Sequence, residues 1–225
     1  MPKISCIISA YNEGPRIGRV LGAVQNHSLL DEIIVVDDGS KDNTQSVVKK
    51  YKNIRLIVHE KNKGKNQAVL TGIKNSTGDY ILLLDADLLG LTAKDVTALL
   101  EPIVRKKAEV SISLIKTAPL LYRKIGLDFI SGERIFPKEM ISGRLKEMEK
   151  LKSYGIEVYL NDYIIKNKYR IKVVKWDGVK NPWKYEKSGL MTGVKGDIEM
   201  ILQIFKTISI FDFFYQITKM ISLMV

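Results

Sequence analysis

The chain has 225 residues, 45% of them apolar, enough for one buried core, and no Pro/Gly/Ser-rich linker divides it. Its 36 Lys and Arg against 25 Asp and Glu give a formal charge of +11, concentrated around 144–152 and 166–187. That balance favours anionic partners over neutral ones, while the absence of RNP-type aromatics, zinc-finger spacing or a helix-turn-helix signature argues against nucleic acid.

The first apolar run, Ile4 to Ser9, reads as a strand. Met1-Pro2-Lys3 leads straight into it, so no secretory leader is expected. It contains the single cysteine, Cys6, expected to be a buried structural thiol in a reducing compartment. Pro15 then suits the first turn of a helix whose stripe is Ile17, Val20, Leu21 and Val24. Ile33 to Val36 is a second strand ending in Asp37-Asp38-Gly39-Ser40, with Ser40 or Asp42 positioned to cap a helix running to about Tyr51.

The pattern repeats. Ile54 to Val58 precedes a helix led by Gly64, and Tyr80 to Leu84 is a strand that ends in Asp85-Ala86-Asp87. Thr92-x-x-Asp95 offers a capping box for a helix to about Lys106, and Glu109 to Ile115 is a further strand. Uninterrupted apolar strands alternating with amphipathic helices predict an α/β fold, a mostly parallel sheet covered by helices on both faces. Ligands of such sheets bind beyond the carboxyl ends of the strands. The polar clusters at 9–13, 37–38, 61–65 and 85–87 all follow strand ends and therefore share one edge.

Asp85 and Asp87, spaced i and i+2, repel each other unless a cation or donors hold them. A divalent metal carrying a phosphorylated ligand meets that need; the plainer alternative is that the two acids begin a loop. Neither Gly-x-Gly-x-x-Gly nor Gly-x-x-x-x-Gly-Lys-Ser/Thr is present, which disfavours a dinucleotide dehydrogenase and a P-loop NTPase. Tyr11 can stack on a flat base, Asp38 can accept from an imide N–H, and Lys65 near a helix start can meet phosphate. Packing, a turn cap and a solvated helix residue are the respective alternatives. His27 and His59 are read as surface or capping residues.

In order and spacing, Ser9-Ala10-Tyr11-Asn12-Glu13, Val35 to Thr44, Asn62 to Ala68 and Gly78 to Asp87 resemble the family 2 glycosyltransferases with a Rossmann-like GT-A fold. The resemblance implies a nucleotide-sugar donor, usually linked to uridine or guanosine diphosphate. Ser9, Tyr11 and Asp38 would lie near the base, Glu13 and Lys65 among the donor-binding residues, and Asp85 and Asp87 near ribose, diphosphate and a Mg²⁺ or Mn²⁺ ion. In the second half, Ile130 to Phe136 resembles an acceptor-side Ser-Gly-Glu/Gln-Arg segment, and Tyr154 to Val158 with Asn161 a second signature. Similar signatures occur in glucosyl-3-phosphoglycerate synthases. Asp177 to Asn181 corresponds to a segment where relatives carry Gly-Val-x-His, so Asn181 stands where a metal-ligating His is expected.

From these features the expected reaction is metal-assisted transfer of a sugar from a nucleotide diphosphate, most simply a uridine one, to an acceptor hydroxyl or phosphate. Asp87, Glu157 and Glu133 are the candidate catalytic acids; in an inverting reaction Glu157 or Glu133 would be the base. Structurally, Glu157 instead suits a first helical turn and Glu133 a pair with Arg134 or another base. The expected acceptor is a sugar, a phosphorylated small molecule or a lipid phosphate. A sugar-phosphate nucleotidyltransferase and a weakly catalytic nucleotide-sugar-binding scaffold are the competing readings.

Residues 1–197 are assigned to the GT-A domain, with 1–115 as its donor half and 116–197 as its acceptor half. Residues 198–225 form an apolar C-terminal helical segment in which Glu199, Lys206, Asp212 and Lys219 recur near heptad spacing, a narrow polar stripe on amphipathic helices. Packing on the domain, homodimer contact and lying on a membrane surface are its alternatives. The expected location is cytoplasmic, with peripheral contact at the inner membrane face as the variant.

Overall fold

The computed structural model describes residues 1–151, 155–182 and 208–225. Tyr154, Glu199 and Lys206, named above, lie outside them. Among the described residues, seven strands form one sheet in the order β3-β2-β1-β4-β6-β5-β7. Strands β1 (Ile4–Ala10), β2 (Glu32–Asp37), β3 (Arg55–Val58) and β4 (Tyr80–Asp85) are mutually parallel, as the uninterrupted apolar runs require. Chain order runs from β1 outward to β3 and then returns to place β4 on the other side of β1. The sheet therefore reverses its winding between β1 and β4, where a crevice opens at the strand ends.

Helix α1 (Gly14–Val24) starts with proline in its first turn and buries Ile17, Val20, Leu21 and Val24. Helix α2 is shorter than expected, Thr44–Val48, because Tyr51 turns back and donates its hydroxyl to the Gly18 carbonyl at 2.9 Å. Asp42 accepts from the Thr44 N–H at 2.9 Å and with its other oxygen from the Gly14 N–H at 3.0 Å, while Ser40 accepts from the Asn12 N–H at 2.8 Å. Both residues thus tie two loops together, and of the two expected caps only Asp42 bonds the start of α2. Helix α3 spans Lys65–Asn75, and α4, Ala93–Val104, carries the complete Thr92/Asp95 capping box. Cys6 is buried in β1, and burial pushes its thiol above the ordinary range, consistent with an inert structural role.

The second half adds what periodicity left unread. β5 (Val110–Ile115) is followed by α5 (Leu120–Ile125) and by β6 (Arg134–Pro137), a strand expected only as a motif segment. β6 inserts antiparallel between β4 and β5. An antiparallel strand enters the sheet at the edge where its parallel neighbours leave it, so the residues just before Arg134 arrive at the carboxyl end of β4. A 3-10 turn (Lys138–Met140), α6 (Leu145–Met148) and α7 (Gly155–Asn167) follow, then β7 (Ile171–Trp176), parallel to β5.

The last described helix, α8 (Ile210–Ser222), buries Phe213, Gln216, Ile217 and Met220 and packs against α7. Gln216 Nε2 donates to Asp162 Oδ1 at 2.6 Å and to the Val158 carbonyl at 3.2 Å. No described helix is long and apolar enough to cross a membrane.

Candidate active site

The crevice between β1 and β4 is an open cavity of about 290 Å³ lined by residues from all four strand-end clusters, among them Ser9, Tyr11, Glu13, Asp38, Lys65, Asp85 and Asp87. Strand register brings the first and last clusters together: Ser9 pairs with Asp85, and Ala10 with Asp37. The loop after β1 is locked onto the loop after β2. Asn12, at φ +55°, donates its N–H to Ser40 and accepts from the Lys41 N–H, and the Glu13 N–H reaches Thr44 Oγ1 at 2.9 Å. This leaves the Tyr11 ring 41% exposed at the cavity wall. The Glu13 carboxylate is held by Arg16 Nε at 2.5 Å.

Asp38 is only 2% exposed and works as a latch. Its Oδ1 accepts from the Lys63 N–H at 2.9 Å and from His59 Nδ1 at 2.7 Å, and its Oδ2 from the Gly64 N–H at 2.7 Å. Gly39 permits the close approach: at φ +74°, a Cβ there would lie 2.7 Å from the Lys61 carbonyl carbon. His59 is not a surface residue, as expected from the sequence, but a buried one spanning Asp38 and Thr71 Oγ1 (2.9 Å). His27 does cap, its Nδ1 accepting from the Leu29 N–H at 3.3 Å. Asn62, not singled out in the sequence, also lines the cavity.

Lys65 opens α3, and its Nζ lies 2.6 Å from Asp85 Oδ1. Partial loss of solvent lowers its pKa, but the charges of Asp85, Glu157 and Glu133 outweigh that and hold the ammonium above its ordinary range. Gly132 sits against this pair; a Cβ there would be 3.1 Å from Lys65 Nζ and 3.2 Å from Asp85 Oδ1.

Glu133 and Glu157, remote in sequence, stand behind the pair. Glu133 is buried with Oε2 accepting from Ser131 Oγ at 2.9 Å and Ser113 Oγ at 3.3 Å, while Oε1 has no partner among the described residues. Burial and the neighbouring Asp85 charge push it up to about 7, against the pull of Lys65. Glu157, in the first turn of α7, is raised by burial, and its Oε2 is likewise without a partner. The expected Glu133–Arg134 pair is not the contact that forms. Arg134, fully buried, donates to the Ser131 and Phe129 carbonyls and to Asn161 Oδ1, all within 3.0 Å. Its guanidinium offsets Glu157 and Asp128 through space, and Asp128 is itself pushed up to about 6 by burial.

Of the buried polar cluster of Ser113, Asp128, Arg134 and Asn161, the sequence marked Arg134 and Asn161 through the two motif segments that contain them, while Ser113 and Asp128 carried no signal.

Asn181 is not among the cavity-lining residues but ends a segment tied to the loop after the acidic pair. Leu89 and Lys180 exchange two backbone hydrogen bonds, of 2.9 and 3.0 Å, so the segment ending at Asn181 pairs with the loop that follows Asp87. The Asn181 side-chain oxygen is buried without a partner among the described residues, and its N–H donates to Thr117. No cluster of three or more His, Cys, Asp or Glu ligands occurs among the described residues. Asp85 and Asp87, both lining the cavity, are the oxygen ligands a hard cation takes when its remaining ligands come from a phosphorylated molecule.

A reversed-winding sheet with one antiparallel strand and an acidic cleft at the reversal is the Rossmann-like GT-A fold. Residues 5–148 match glycosyl transferase family 2, and the chain belongs to that family. It is 33% identical over 157 residues to UDP-N-acetylglucosamine–dolichyl-phosphate N-acetylglucosaminyltransferase of Methanococcus voltae, a match covering 57% of this chain and 61% of that one. It is 37% identical over 100 residues to human dolichyl-phosphate beta-glucosyltransferase, covering 38% and 31%. The chain thus spans less than two thirds of the length of either relative.

Its fold is similar to that of Mycobacterium tuberculosis glucosyl-3-phosphoglycerate synthase, solved with Mn²⁺, uridine-diphosphate-glucose and phosphoglyceric acid. The TM-score is 0.69 at 22% identity, over 92% of this chain and 79% of that one.

Proposed function

We propose that this chain transfers a sugar from a uridine diphosphate donor to a phosphate-bearing acceptor with the help of Mg²⁺ or Mn²⁺. The observation that carries the reading is the convergence of Tyr11, Asp38, Lys65, Asp85 and Asp87 on one cavity at the winding reversal. Family membership supports it, as do the uridine diphosphate sugar and phosphorylated acceptors in the names of the relatives.

In this reading the Tyr11 ring stacks on the base. Asp38 Oδ2, with one backbone donor, retains a lone pair for an imide N–H. Asp85 and Asp87, with the Asn181 amide oxygen, would hold the metal, whose charge would offset the negative charge developing on the leaving diphosphate. Lys65 gives up part of its hold on Asp85 to meet that diphosphate, and it keeps the acids behind it from repelling the donor. Glu157, and Glu133 beside it, face the acceptor side. There a carboxylate takes the proton of an attacking hydroxyl, or orients the acceptor when a phosphate oxygen attacks and no base is needed.

Incubation with uridine diphosphate sugars, Mn²⁺ and phosphorylated acceptors tests the reading. Uridine diphosphate is the expected product; inorganic pyrophosphate would make the protein a nucleotidyltransferase, and binding without turnover across the acceptor panel would make it a scaffold.

A further inference from the structure

Helix α8 is apolar on more of its circumference than its packing uses. Phe213, Gln216, Ile217 and Met220 face the domain, yet Phe211 is 85% exposed, Phe214 59% and Tyr215 51%. A helix apolar nearly all round has a second surface to cover. A neighbouring helix shares the feature, for α5 exposes Leu120 and Leu121 to 64% and 53%. The two helices are joined by an edge-on aromatic stack, Tyr122 to Phe129 at 5.6 Å and Phe129 to Phe213 at 5.0 Å, continued by Phe214 at 5.3 Å. The exposed side chains therefore belong to two helices that one aromatic spine joins, and the two faces together make up the patch.

Its charges are basic in excess, three cations against the one exposed carboxylate of Asp212. Exposed Arg123 and Lys124 end α5, and Lys219 lies 5.9 Å from the Tyr215 ring. The acid on the α8 stripe, Asp212, is engaged by Ser209 at 2.6 Å as a helix cap.

We propose that this patch docks the protein on an anionic phospholipid surface, the aromatic and leucine side chains entering the headgroup boundary and the basic residues meeting phosphates. A second copy of a chain with net charge +11 is the less favourable occupant, since like charges would be brought together. The position of the patch deepens the transferase reading, on which this part of the argument rests. The Phe129 carbonyl accepts from both Arg134 and Asn161, so the spine abuts the polar cluster behind Glu133 and Glu157. A lipid-borne acceptor phosphate would then be presented at the acceptor side of the cleft.

Sedimentation of the full chain with vesicles of phosphatidylcholine plus phosphatidylglycerol, and of phosphatidylcholine alone, tests the surface. The protein is expected to partition onto the anionic vesicles and to be lost about tenfold when Phe211→Ser and Phe214→Ser are combined. Arg123→Glu with Lys124→Glu should remove the preference for anionic lipid. Phe211→Ser alone, at the most exposed position, keeps the test valid if the double variant does not fold. Absence of partition, equal partition of native and Phe variants, or a concentration-dependent dimer abolished by Phe214→Ser overturns the proposal. Uridine diphosphate affinity should be the same in native and patch variants. A native chain that binds no uridine nucleotide would defeat the donor reading and leave the vesicle result to stand alone.

Discussion

Lys65 Nζ and Asp85 Oδ1 meet at 2.6 Å between the start of α3 and the end of β4, with Glu133 and Glu157 behind them. The Lys65 side chain is 48% exposed, so solvent screens the pair and its direct contribution to stability is small. Its consequence is one of arrangement: three carboxylates share one ammonium, and any cation or phosphate entering the cavity redistributes that charge.

Asp87→Asn removes a formal charge from the cavity wall without changing side-chain size. Turnover should fall to background and Mn²⁺ should no longer raise donor affinity, while the melting temperature stays within a degree or two, in line with about 0.5 kcal/mol for a change away from the core. Metal titrations of donor binding, run beside a thermal melt, check this. Retained, metal-stimulated turnover would remove Asp87 from the proposed metal site.

Asp38→Ala takes the acceptor away from two backbone N–H groups and His59. A stability loss of about 1–3 kcal/mol is expected, together with weaker uridine diphosphate binding and a loss of preference for uridine over adenosine. Denaturant melts and calorimetry with both nucleotides separate the two roles. A stability loss with nucleotide preference unchanged would leave Asp38 as a latch alone.

Glu133 links stability to pH with a definite sign. Its folded-state pKa, about 7, lies above its ordinary value of 4.5, so the folded protein holds a proton that the unfolded chain releases. The stabilisation is complete below about 4.5 and is lost as pH rises through about 7. Asp128, raised from 3.8 to about 6, acts in the same direction over its own lower window. Glu133→Gln should flatten the decline between those limits by roughly 1–3 kcal/mol, measured by urea melts across the range. An unchanged slope would show that Glu133 ionises as freely folded as unfolded.

Glu157→Gln keeps the shape of the side chain and removes the buried charge. Transfer to a hydroxyl acceptor should fall by roughly 10²–10⁴, with donor affinity nearly intact and thermal stability equal or higher, since the carboxylate has an unpartnered oxygen. Single-turnover assays with donor bound beforehand read the chemical step. Full-rate transfer would pass the base to Glu133 or to a reaction that needs none.

The strand-and-turn grammar of residues 4–115 was legible in the sequence because it is local. Apolar runs ending in Asp38 or Asp85, Pro15 at a helix start and the Thr92/Asp95 box each depend on neighbours within a few positions. Once those strands are parallel, their polar ends must share an edge, and so the cavity-lining residues could be grouped before any contact was known.

What local pattern could not supply was the partner of each element. β6 is only four residues long, and nothing within it says that it pairs antiparallel between β4 and β5. That choice alone carries Glu133 to Lys65 and Asp85. The burial of His59, the carbonyl partners of Arg134 and the exposed second face of α8 are likewise outcomes of long-range packing. A side chain's surroundings depend on which distant surfaces meet around it, and the hydrophobic effect that brings those surfaces together is non-directional until the whole core is assembled.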